Sequence, residues 1–248
     1  MKLKKKSGLI GAVIALSAAS LVSVGFASWV ISAGVTQDVA GVIEVDNVEN
    51  SIHTIDASSG FLTARNGTVD ASKNKIVFGC TQAAIDNTTG WLKNDGTLGD
   101  TSDSSLEVLT VWYKVVVNNV KSGDTVGSVI QSAIIDGNAA FDAAVTAGYV
   151  AAEPSVQYVV NNADATASTA LVLDGTNAAI VLEYTFEWGT LTNGDDPFTF
   201  WNAKTVTVGE TAGDYATAAV RAQAAQEYFA GLQTALASAA YTLTITTK

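Results

Sequence analysis

Between Ile180 and Trp188 every second residue is large and apolar, without a break. Ile180, Leu182, Tyr184, Phe186 and Trp188 fall on one side, and Val181, Glu183, Thr185 and Glu187 largely supply the other. Successive side chains of a strand point to opposite faces, so this stretch is a strand with one buried face. Residues 106–120 carry the same constraint: Val111, Tyr113, Val115 and Val117 share a face opposite Trp112, Lys114 and Val116. Their β-branched and aromatic content suits a central strand.

Shorter strands are expected at 39–48, 51–57, 61–65, 75–80, 155–160, 170–173 and 241–247. Asn66-Gly67, Asn161-Asn162 and Asp174-Gly175 supply turn chemistry between them. The last strand cannot stand alone and must pair inside a sheet. Two short helices are expected within 121–149. One follows the polar cap ending at Thr125 and runs over 126–135, and the other lies between Asn138 and Gly148. A longer helix is expected over 215–239, capped by Asp214, with Tyr215, Ala218, Ala222, Phe229, Leu232 and Leu236 on one stripe. Residues 86–105 and 189–202 read as loops. Strands joined by turns, rather than βαβ units, predict a mainly β, antiparallel sandwich. It forms a single domain over residues 34–248, with helical excursions at 121–149 and 214–239.

Residues 1–33 read as a signal peptide or membrane anchor. Lys2, Lys4, Lys5 and Lys6 precede an uncharged stretch from Ser7 to Gln37. A basic segment followed by an apolar one is the secretory pattern, and positive charge stays on the cytoplasmic side. Small residues offer cleavage near Ala27 or Ala33. Retention is the alternative, since about 20 apolar residues span a bilayer. In that case the leader is the chain's one membrane contact.

The net charge is −11 over 248 residues. Without the four leader lysines, nine cationic side chains face 24 acids, a net of −15. Such a surface repels phosphates and excludes nucleic acid as a partner. The lone Cys80 cannot form a disulfide within its own chain and reads as a small buried residue.

Catalysis finds little to work with. His53 is the one histidine and lies in an expected strand, so no Ser-His-Asp or Cys-His set can be assembled. One His and one Cys make a zinc enzyme implausible. Glu183 and Glu187 could form a carboxylate pair, but the polar face of a strand accounts for them without further assumption. The sequence therefore argues against an enzyme and names no cofactor. Calcium is the one ion its loops suit: Asp95, Asp100 and Asp103 lie in one loop, and Asp195 and Asp196 in another. Solvated acidic turns are the plainer reading. Trp188, Phe198, Phe200 and Trp201 form an aromatic group that reads as a plug for the open end of the sandwich, or else as a carbohydrate platform.

The segment from Lys4 to Leu16, continuing to Gly25-Phe-Ala-Ser-Trp29, resembles the leaders of TasA/camelysin-like secreted proteins with a SipW-type signal peptide. Phe186-Glu-Trp-Gly189, with Asn193 to Phe198 and Phe200-Trp-Asn202, resembles a segment of secreted proteins with such leaders. The resemblance implies a jelly-roll-like sandwich outside the cell, a signal peptidase as partner, and self-assembly into fibres through a donated N-terminal strand. Here that strand would be residues 34–48. The metalloprotease activity ascribed to camelysin has no recognisable ligands in this chain.

The resulting expectation is an exported bacterial cell-surface or extracellular-matrix structural protein that associates with itself. One alternative is a surface-displayed module binding glycan or calcium, through Trp91, the aromatic group or the aspartate loops. Another is a pilin-like subunit that keeps its apolar helix, although the leader lacks the acid usual near the start of such helices.

Overall fold

The computed structural model describes residues 37–46, 52–78, 109–195, 197, 200 and 218–248. The leader with Ala27 and Ala33, Cys80, Trp91, Asp95, Asp100, Asp103, Asp196, Phe198 and Trp201 lie outside the described residues.

The described chain is mainly β, with two sheets paired largely antiparallel. The first is built from β1 (Gln37–Asp46), β4 (Lys75–Phe78), β6 (Ile130–Gly137) and β11 (Ala240–Thr247), in the order β4-β1-β11-β6. The second runs β2-β5-β10-β7-β8. Its strands are β2 (Thr54–Ile55), β5 (Thr110–Asn118), β7 (Gln157–Val160), β8 (Ala163–Ala165) and β10 (Asn177–Thr185). Two-residue strands β3 (Gly60–Phe61) and β9 (Leu173–Asp174) add to β5 and β10.

The expected alternation governs the second sheet. Val111, Tyr113, Val115 and Val117 of β5 are buried, as are Ile180, Leu182 and Tyr184 of β10. The two strands lie side by side, with Leu182 opposite Tyr113. The stripe continues past the end of β10 through Phe186 and Trp188, both buried. There it meets the first sheet. The Phe186 ring lies 5.6 Å from that of Tyr241 in β11, and Trp188 packs edge-on against Phe78 of β4 at 5.4 Å. One apolar core therefore takes in residues of both sheets.

The segment 126–135 departs from expectation. Thr125 and Ser128 form a reciprocal capping box, but α1 (Val126–Val129) ends after one turn. Ile130 is extended at ψ 122°, and residues 130–137 become β6. The cap signal is local. The β-branched run beyond it gains more by pairing with β11, which buries Ala133 and Ile135. The second helix, α2 (Ala139–Thr146), starts at Asn138 as its cap, with Gly148 at φ +81° just beyond its end.

Other boundaries also move. Residues 163–165, which no expected strand covers, form β8, because Asn161 and Asn162 both adopt left-handed φ and fold a two-residue hairpin from β7. Of the expected strand 170–173, only Leu173 enters β9, while Ala170 makes an isolated bridge to Thr125. Helix α3 (Ala218–Ala235) precedes β11 and buries Phe229 and Leu232, with Leu236 just beyond its end. At Gly231 a Cβ would collide with the Tyr149 hydroxyl, so glycine sets how closely α3 approaches that ring.

One pairing breaks the antiparallel pattern. β1 and β11 run parallel, from Ala40 opposite Ala240 to Asp46 opposite Thr246. Parallel neighbours need a long crossover. Here the rest of the described chain supplies it.

Candidate functional site

β1 occupies an inside position of its sheet, flanked by β4 on one side and β11 on the other. It therefore fills a slot. The β4 wall pairs antiparallel from Gln37 opposite Phe78 to Ala40 opposite Lys75. That wall is set by a short 3₁₀ turn (Ala71–Lys73), whose cap Asp70 accepts from the Ser72 N–H at 2.9 Å. The hydrogen bonds to Ser72 hold the Asp70 carboxyl below its ordinary pKa. Asn74 follows the turn and is buried. Its C=O accepts the Gly41 N–H at 2.9 Å, and its Nδ2 donates to the Gly41 C=O at 3.3 Å. Both main-chain groups of Gly41 thus meet one residue.

The β11 wall places Tyr241 opposite Gly41. Both are buried. The tyrosine ring lies across the glycine: a Cβ at position 41 would fall 2.6 Å from the hydroxyl oxygen and closer still to the far ring carbons. Phe186 packs against the same ring, with centroids 5.6 Å apart. Burial pushes the Tyr241 phenol far above its ordinary pKa, and its hydroxyl has no hydrogen-bond partner among the described residues. A glycine inside a strand marks close approach by another group, and that group here is the Tyr241 ring. Farther along, the register sets Ile43 opposite Leu243 and Val45 opposite Ile245.

The residues singled out from sequence are dispersed. Asp195 sits exposed in the turn after Thr190–Thr192, its N–H donating to the Thr192 C=O at 3.0 Å. Among the described residues no group of three or more His, Cys, Asp or Glu side chains could hold a metal ion. Trp188 and Phe200 are core members. Trp188 also borders an open cavity of about 570 Å³ beside Val145, Val150 and Asn193. His53 is buried, its N–H donating to the Lys248 C=O and its own C=O accepting from Thr247 Oγ1.

Glu183 and Glu187 line one cleft of about 340 Å³ with Glu153, Ser155 and Gln157. Two of these carboxylates already have structural tasks. Glu183 accepts from the Trp112 indole at 2.6 Å and lies 3.1 Å from Arg65 Nε. Glu153 accepts the Gly137 N–H at 2.8 Å, bracing the end of β6.

Sequence reasoning missed Gly41, Asn74 and Tyr241 as a unit. The lone glycine within the apolar run 39–43 was the available signal. Among the described residues no helix is long and apolar enough to cross a membrane. No protein-family model matches the chain, and no curated protein or solved structure matches it.

Proposed function

We propose that this is an exported cell-surface or extracellular-matrix structural protein, non-catalytic, that assembles with itself by exchanging its N-terminal strand. The observation that carries the reading is the position of β1. It is the first described strand, it lies inside a sheet, and the closing strand β11 is its parallel neighbour. If β1 swings into a second copy, its own slot opens between β4 and β11 for the β1 of a third. Repetition of that step gives a fibre with no new type of contact, because strand addition satisfies the main-chain groups of an open edge. Seven residues separate Asp46 of β1 from Thr54 of β2, which lies in the other sheet.

The lysine-rich leader and the acidic body it precedes support export and an extracellular setting. Two sheets sharing one core support a jelly-roll-like sandwich. Electron microscopy of the exported protein tests the assembly, with analytical ultracentrifugation across concentration, salt and pH. A chain that stays monomeric throughout overturns the proposal. Intact mass separates leader loss, with a start near Ser28 or Gly34, from a retained anchor.

The acidic cleft beside Glu187 favours a second reading, a surface module that binds a cation or a glycan. Calorimetry with Ca²⁺ and a glycan array distinguish it.

A further inference from the structure

We propose that Gly41 and Tyr241 form a register key that restricts the slot between β4 and β11 to a strand carrying glycine at this one position. Its occupant is therefore the β1 of this chain or of a second copy. The intermolecular half of this inference rests on the strand-exchange reading above; the key itself does not.

Main-chain pairing alone is indifferent to sequence, and a strand can slip along its neighbours by two residues without turning its faces over. β1 is apolar and β-branched enough for several such registers to compete. The key removes them. A two-residue slip would bring Val39 or Ile43 opposite Tyr241. Any Cβ at that point overlaps the ring, and the ring is a buried core member in contact with Phe186. In the native register the ring instead covers bare glycine backbone. Asn74 secures the same residue from the opposite wall, through both the N–H and the C=O of Gly41. The register is thus fixed where steric exclusion and hydrogen bonding coincide. A strand of unrelated sequence with a side chain at this point is rejected by the same overlap, which is discrimination by exclusion.

A bump-and-hole experiment on the full chain tests this. Gly41→Ala places the Cβ in the ring; Tyr241→Leu removes the far ring atoms and keeps a buried apolar side chain. Gly41→Ala is expected to lower the thermal midpoint by about 5–10 °C. The double variant Gly41→Ala/Tyr241→Leu is expected to lie above the sum of the two single losses by several degrees. If the losses simply add, the key is wrong, whatever the chain's assembly state.

The two single variants are then mixed. Exchange seats the alanine-bearing β1 of the first variant in the leucine-lined slot of the second. The native β1 of the second enters the tyrosine-lined slot of the first. The mixture is therefore expected to co-assemble with no two Gly41→Ala subunits joined directly, and at least tenfold more efficiently than Gly41→Ala alone. Recovery in the double variant without co-assembly of the mixture supports the key within one chain and overturns strand exchange. Should Tyr241→Leu fail to fold, Tyr241→Met replaces it. Gly41→Val in the otherwise native chain then gives a graded check, with a larger loss expected than for Gly41→Ala. Equal losses for the two would overturn the key.

Discussion

The Trp112 indole donates to Glu183 Oε2 at 2.6 Å, joining directly opposed residues of β5 and β10. Arg65 reaches the same oxygen from the turn after β3, and its other end pairs with Asp164 of β8. Asp164 is largely exposed, so that ion pair contributes little. The Glu183 side chain is only 20% exposed, and its hydrogen bond from Trp112 counts for more. Glu183→Gln is expected to cost about 1–2 kcal/mol in urea unfolding. With Trp112→Phe, a double-mutant cycle should show coupling of about 1 kcal/mol. Additive losses would show that the contact carries no stability.

Asn138 serves two elements at once. Its Oδ1 accepts from the Phe141 N–H at the start of α2 and from the Ala240 N–H at the start of β11. Its Nδ2 donates to the Ser238 C=O at 2.9 Å. Asn138→Ala should cost about 2 kcal/mol, the upper end for a helix cap. Asn138→Asp keeps the acceptor and loses the donor, so its denaturation midpoint should fall between those of the native chain and the alanine variant. Equal losses for Asn138→Asp and Asn138→Ala would sink this account.

Buried phenols set an alkaline limit. Burial pushes Tyr113 from 10.0 up to about 12, and drives Tyr184, Tyr228 and Tyr241 higher still. In the unfolded chain these groups ionise near the ordinary tyrosine value of about 10. Their folded pKa values are raised, so the native state holds more protons above that pH. Stability is therefore complete below pH of about 10 and falls as pH rises toward and past 12. Tyrosinate absorbance at 295 nm should rise in two stages, the second coincident with loss of circular dichroism. Complete ionisation with a native spectrum would contradict the burial.

Tyr184 offers an unusual gain. Its side chain is fully buried and its hydroxyl has no hydrogen-bond partner among the described residues. An unpaired buried hydroxyl carries a desolvation cost of about 1–3 kcal/mol. Tyr184→Phe should therefore raise stability by about 1 kcal/mol, read as an upward shift of the urea midpoint. A fall instead would reveal a partner for that oxygen.

The parts of the fold that were legible in the sequence are those where side-chain period and burial agree. Ile180, Leu182 and Tyr184, with Val111 to Val117, follow the alternation because one face of their sheet is buried. Asn138 and Gly148 marked α2 because caps act locally. Residues 130–135 were misread because the same kind of local signal, the capping box at Thr125, is overruled by pairing with a strand more than 100 positions away. β8 was missed because three short residues carry no period; the left-handed Asn161 and Asn162 create it. The slot itself was invisible for a related reason. Gly41, Asn74 and Tyr241 are scattered along the sequence, and only the pairing of β1 with β4 on one side and β11 on the other brings them together.

That parallel register also governs time. The strands that close the first sheet lie at opposite ends of the described chain, so their contact has nearly the greatest sequence separation available to it. Contacts of this kind form late, because the loop they close must first be ordered. A chain emerging from its N-terminus presents β1 long before β11 exists to receive it. For that interval β4 can pair along one edge of the strand, while the edge that β11 will cover stays open. On the strand-exchange proposal, the order of emergence, as much as the final energy, decides whether β1 settles in its own molecule or in the next.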